Sequence, residues 1–250
     1  LLKYLSKQNE IFLIQFIESE DEKQYLPMIT PYCDIIEIVP YFLPTSVAKI
    51  KDVALKILEP RRFLSSIMAS KIKDAILKWK PDLVHAELPM MSHYAEAIGS
   101  IPKIIASHDA ISLSAFKKIN ASLNPIQKLK WYILYKQRRG IESSYFPLFD
   151  ACTVVSDEDK NFLEKHCHNL RIEVIPSGVD VDFFNPNTNQ DDECSEPIIG
   201  FFGTMSYYVH VDAALFFCSK IFPLIKEKFP NLKFYIVGRK PPSAISRLSN

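Results

Sequence analysis

The chain has 250 residues, 48% of them hydrophobic, with a mean hydropathy of +0.00 and a formal net charge of +1. That length allows one large domain or two small ones, with apolar side chains enough for a core. The near-neutral charge leaves no basic footprint for nucleic acid, and no run of apolar residues reads as a bilayer span.

Leu1 to Leu5 reads as the tail of a helix, and the apolar run Ile11–Ile17 as the first strand. Further short, β-branched runs predict strands at Asp34–Val39, Asp82–Ala86, Lys103–Ser107, Ala151–Val155, Ile172–Ile175, Ile198–Phe202 and Lys233–Val237. Continuous apolar runs of this kind suit strands covered on both faces of a parallel sheet. Helical stripes fall between them. Ile50, Val53, Ala54, Ile57 and Leu58 share one face, as do Leu64, Met68, Ile72, Ile76 and Trp79. Pro81 ends the second helix by disfavouring αR in the residue before it. Ser156 reads as an N-cap, with Asp159 as the acidic half of a capping box. The repeated β-α-β order predicts an α/β, doubly wound parallel sheet. Both ends of the chain are abrupt, which predicts a fragment lacking a strand in front and several units behind.

Ligands of such sheets bind beyond the carboxyl ends of the strands. The polar residues to weigh there are His85, Glu87 and Tyr94, then His108 and Asp109, then Ser156, then Gly203 and Thr204, then Gly238 and Arg239. His85 lies within a strand run and reads as a packed or satisfied imidazole, and Asp109 as a residue that caps or orients its loop. Five cysteines (Cys33, Cys152, Cys167, Cys194 and Cys218) are scattered without a C-x-x-C and read as reduced thiols. His166-Cys167-His168 lacks a second ligand pair, so no metal site is expected.

Four motifs lie in register along the chain. Val174-Ile175-Pro176-Ser177-Gly178-Val179-Asp180 with Phe184 resembles the V-I-P-N-G-V-D-x-x-x-F signature of family 4 glycosyltransferases, with Gly178 free to take positive φ in the turn. Phe149-Asp150 through Val154-Val155-Ser156 and Asp159 is similar to their F-D-x-x-x-V-V-S-x-x-D element. Gly200-Phe201-Phe202-Gly203-Thr204-Met205 with Tyr207, Asp212-Ala213 and Phe217, and Phe234-Tyr235-Ile236-Val237-Gly238-Arg239, resemble the paired elements of an exopolysaccharide-type branch.

The resemblance implies a GT-B-like architecture, with two Rossmann-like domains facing across a cleft. Residues 1–184 would form an acceptor-side Rossmann-like domain lacking its first strand, 185–197 a linker, and 198–250 the start of a nucleotide-sugar-binding domain. It implies sugar transfer with retention from a nucleotide-diphosphate donor to a glycan or lipid-linked acceptor, in polysaccharide biosynthesis. No metal or cofactor is implied; the nucleotide sugar is a co-substrate, and the setting is cytoplasmic. His108 would be the catalytic contact and Glu87 would meet acceptor hydroxyls. Gly203, Thr204, Gly238 and Arg239 would hold the donor, the glycines by letting backbone approach its diphosphate.

The pattern is broken in three places. Thr204 stands where many members carry Arg, Val209-His210 replaces Pro-Asn, and Ser177 replaces Asn. The acidic E-x7-E donor element would lie beyond Asn250. These departures keep two other readings open: a Rossmann-like module that has lost the donor site, and a nucleotide-sugar epimerase. The basic, aromatic stretch from Lys128 to Arg139 also has two readings. It lies on an anionic membrane surface, or it buries Trp131, Leu134 and Tyr135 with its lysines in water.

Overall fold

A computed structural model describes residues 1–41, 64–185 and 197–249, and divides the chain into two compact units meeting at Gly178 and Val179. The expected stripe from Ile50 to Leu58, Cys194 and nearly all of the expected linker lie outside the described residues.

In the first unit, β1 (Phe12–Ile17) pairs parallel with β2 (Ile35–Pro40), Phe12 facing Ile35. A second parallel sheet runs in the order β3 (Val84–Glu87), β4 (Lys103–His108), β5 (Ala151–Val154), β6 (Arg171–Val174). Because neighbouring strands run the same way, helices must carry the chain back between them. α1 (Ser66–Trp79) precedes β3, and its Met68 is buried with Val39 and Tyr94 in a small core beside β1 and β2. Its N-cap is Ser65, whose Oγ accepts the Met68 N–H at 3.3 Å. It ends at Lys80, left-handed at φ +48°, directly before Pro81.

α2 (Ile111–Ala121) and α3 (Pro125–Tyr145) form an antiparallel hairpin between β4 and β5. Asn124 caps α3, its Oδ1 accepting the N–H groups of Ile126 and Gln127, and Pro125 occupies the first helical position, where no N–H is required. The main core lies between this hairpin and the sheet. It contains Ile105, Ile141, Phe146, Cys152, Val154 and Leu163, each almost fully buried. α4 (Asp157–Leu163) starts at Ser156, whose Oγ accepts the Asp159 N–H at 3.2 Å, as the capping-box pattern predicts.

The second unit is one parallel pair, β7 (Ile198–Phe202) and β8 (Lys233–Val237), joined by a helical crossover. The crossover comprises α5 (Tyr208–Phe216), a widened π turn (Phe217–Ile221) and α6 (Phe222–Lys228). Pro223 supplies no N–H and crowds the preceding turn, and the π turn just ahead of it takes up that misfit. The continuous helix Tyr208–Lys228 has 21 residues and contains an 18-residue window of mean hydropathy 1.4, so it is long and apolar enough to cross a membrane. The charged residues at positions 212, 220 and 226–228 interrupt its apolar run, so the sequence alone shows no span. Its ends return to two paired strands of one sheet, and Phe217 and Phe222 pack on Phe234 of β8.

The α/β, parallel, Rossmann-like class expected from the sequence is the class observed, and all eight expected strands form. A local expectation about a glycine fails. Gly99 is the only described glycine at positive φ; Gly178 is not, and a side chain there would meet nothing within 4 Å. Asp180 organises that segment instead, its Oδ1 accepting the N–H groups of Asp182 and Phe183.

Candidate active site

β4 ends in an unusual turn. The Ser107 carbonyl accepts the Asp109 N–H at 2.7 Å, an i→i+2 bond that puts His108 at the centre of a γ-turn with φ +60°. Such a turn at positive φ is rare and strained, and a residue with Cβ increases the cost. Neighbouring bonds hold it in place. Ser107 Oγ donates to the Asp109 carbonyl at 2.7 Å, and the His108 carbonyl accepts the Val155 N–H at 2.9 Å. The ladder to β5 shifts register between Ala106 and His108. Backbone strain held by its surroundings in this way points to function at the residue that bears it.

β3 ends in a similar departure. Leu88 has φ +77°, and its N–H donates to the Ala106 carbonyl at 2.9 Å. Glu87, immediately before it, reaches across to β4, and its Oε1 lies 2.5 Å from His108 Nε2. Two residues chosen separately from the sequence therefore form one pair at the carboxyl ends of neighbouring strands. His85 is exposed rather than packed, on the same strand face as Glu87, with Nδ1 3.4 Å from Glu87 Oε2. A carboxylate on Nε2 keeps the proton there and leaves Nδ1 as the atom offered to a ligand. Nδ1 of neutral His108 accepts from a hydroxyl; in the imidazolium it donates to a phosphate or sugar oxygen.

Asp109 does not cap the following helix. Its carboxylate bonds no described residue, and Asp159 of α4 takes the position instead, accepting the Ala110 N–H at 2.9 Å. Glu142 of α3 accepts the Ser112 N–H at 2.9 Å, so two protein carboxylates already occupy the positive end of α2. Tyr94 is a core residue whose hydroxyl accepts the Ser65 N–H at 2.9 Å.

Glu142 itself is fully buried. It accepts from Ser112 Oγ and lies 2.8 Å from His166 Nε2. Cys167 Sγ sits 3.3 Å from the Glu142 carbonyl oxygen, while His168 is exposed. The His-Cys-His run thus faces two ways, and its inward half ties α2, α3 and the segment after α4 together. Burial and the Glu142 charge push the Cys167 thiol up to about 12, and burial does the same to Cys152. Sequence spacing contains no sign of this cluster, because its members come from two helices and the turn after a third.

In the second unit the glycines are needed for internal packing. A side chain on Gly238 would lie 1.8 Å from the Gly203 carbonyl oxygen, so strand ends β7 and β8 approach too closely for any Cβ there. A side chain on Gly203 would meet His210 Nδ1 at 2.7 Å. His210 Nδ1 lies 3.1 Å from the Thr204 carbonyl, so two of the departures from the motif contact each other. The Arg239 side chain is exposed. Lys240, left-handed at φ +56°, instead lines an open concavity with Met205, Ser206, Tyr208 and Val211 beside the start of α5. No side chain caps α5.

The sequence profile of Glycosyltransferase Family 4 matches residues 41–183, more than half of the chain and the whole segment carrying Glu87 and His108. The chain belongs to this family, and glycosyl transfer is its class of activity. Among solved structures it is similar to Medicago truncatula UGT71G1 complexed with UDP-glucose, at 11% identity and a TM-score of 0.43, over 95% of this chain and 67% of that one. No curated protein matches.

Proposed function

We propose that this protein moves a sugar, with retention, from a nucleotide diphosphate to a glycan or lipid-linked acceptor in polysaccharide biosynthesis, in the cytoplasm. The observation that carries this reading is the Glu87–His108 pair, held at 2.5 Å on two strained strand ends within the family-matched segment. Glu87 fixes the imidazole and leaves His108 Nδ1 as the atom offered to a sugar or phosphate oxygen. This revises the expectation that Glu87 contacts the acceptor, since its nearer oxygen is already engaged.

The donor is proposed to lie on the Gly203–Thr204 and Gly238–Arg239 loops. There the uncapped N–H groups of α5 and the Lys240 ammonium would neutralise the diphosphate without a metal. A non-catalytic module remains the second reading, favoured by His210, which occupies the space above Gly203 where ligand would approach. The test is transfer from a panel of nucleotide-diphosphate sugars in chelator, with the anomer of the product read by NMR. Retained configuration, and loss of transfer in His108→Ala, are expected. Transfer by His108→Ala at the wild-type rate would remove the pair from the mechanism, and no turnover of any donor would favour the module.

A further inference from the structure

The α2–α3 hairpin carries a surface that sugar transfer does not explain. From Ala110 to Gly140 the chain has seven Lys and Arg residues and no Asp or Glu. The same segment exposes large apolar side chains at its tip: Leu123 is 97% exposed, Ile126 80% and Leu129 60%, with Phe116, Tyr132 and Ile133 also exposed. The helix does bury its other side, through Leu134 and Ile141, with Trp131 and Tyr135 half-buried. The buried face expected of this helix is observed, and the opposite face is left exposed.

The exposed apolar residues form a stripe. At about 100° per residue, Tyr132, Leu129, Ile133 and Ile126 span roughly a third of the helix circumference. Lys128 borders that arc on one side and Lys130 on the other, and Lys136 continues it one turn on. Arg138 and Arg139 turn inward to Ile111, Ser114 and Tyr135. Lys117 pairs with Glu158 at 2.7 Å and Lys118 lies over the Trp131 ring, leaving Lys128 and Lys136 as the outward charge with Lys130 beside the same ring. A bare apolar stripe between lysines, on a tip with no acidic residue, is complementary to lipid acyl chains beneath anionic headgroups.

We propose that the tip of this hairpin docks the protein on an anionic bilayer, with Leu123, Ile126 and Leu129 entering the interface and Lys128, Lys130 and Lys136 meeting headgroups. The proposal is independent of the donor chemistry, and its test uses no nucleotide sugar.

The experiment is co-sedimentation of the whole chain with vesicles of phosphatidylcholine alone or with one-third phosphatidylglycerol, at low and high salt. Binding is expected only to the anionic vesicles and is expected to weaken as salt rises. Lys128→Gln with Lys130→Gln should lower the partition coefficient by about tenfold or more, each lysine near such a surface contributing roughly fivefold. Leu123→Ser with Ile126→Ser should lower it comparably, with unchanged circular dichroism because both side chains are exposed. Light scattering on the same samples separates the competing occupant. Equal binding to neutral vesicles, no binding to anionic ones, or a dimer in lipid-free buffer that the serine variant dissociates would each overturn the proposal.

Discussion

Glu87 and His108 are 21 residues apart in the chain and 2.5 Å apart in the fold. Parallel pairing of β3 with β4 sets Glu87 against Ala106, two residues short of His108. The γ-turn then places the imidazole at the carboxylate. Pairing and turn are both required, since a regular strand would carry residue 108 onward along the ladder.

The strain at His108 predicts opposed effects on stability and activity. His108→Gly relieves a positive φ and should raise stability by about 0.5–1 kcal/mol. It should lower kcat/KM by about a hundredfold or more, as expected for loss of a proton-handling group. Thermal unfolding and turnover measured on one preparation check both. A less stable glycine variant would mean the turn is not strained.

Glu142→Ala should be the most damaging single change outside the apolar core. It leaves Ser112 N–H, Ser112 Oγ and His166 without their buried acceptor. Removing one partner from such a cluster costs about 3–5 kcal/mol. Urea unfolding of the chain measures the loss. A change within about 0.5 kcal/mol, the range of ordinary surface substitutions, would place the cluster in contact with water.

The buried thiols give a dependence on alkaline pH. Cys152 and Cys167 are pushed from 9.0 up to about 12 in the folded chain, chiefly by burial. Below 9 the thiol is neutral in both states. Between 9 and 12 the unfolded state loses the proton first, so stability falls as pH rises through that window. Cys152→Ala with Cys167→Ala should flatten the fall when unfolding is followed from pH 8 to 11. The native thiols should also resist alkylation at neutral pH, because the thiolate is the reactive form.

Two glycines should respond oppositely to alanine. Gly238→Ala puts a Cβ 1.8 Å from the Gly203 carbonyl oxygen and must separate β7 from β8, at a cost of about 1–3 kcal/mol or more. Gly140→Ala lies inside α3 with nothing within 4 Å and should stabilise by about 0.5–1 kcal/mol. Denaturant midpoints of the two variants against wild type decide it. Matching signs would show that one of these environments differs from the one described.

Much of this protein was legible in its sequence, for local reasons. Strand runs, the Ser156 cap, the Pro81 stop and the paired β7 and β8 motifs each depend on residues within a few positions of one another. The strand-end rule put His108 and Glu87 among the residues to weigh, because the carboxyl ends of parallel strands share one edge, and the family resemblance then gave His108 its role. Local patterning did not reveal what those residues do to each other. It left open whether His85 is packed or satisfied and whether Asp109 caps or orients its loop, and it read Gly178 as a turn residue at positive φ, which it is not.

These points share a cause. The cap on α2 comes from Asp159, 49 positions from the Ala110 N–H it accepts, and the Glu142 cluster joins residues up to 30 positions apart. Gly238 is required by the Gly203 carbonyl of the neighbouring strand, and the bare stripe of α3 emerges only once its other face is packed. Sequence determined which segments form strands and helices, since hydropathy period and capping act over one or two turns. Which carboxylate meets which donor, and which apolar face stays uncovered, was decided by tertiary packing, since a charged or apolar group's partner is whatever the fold brings within a few ångströms.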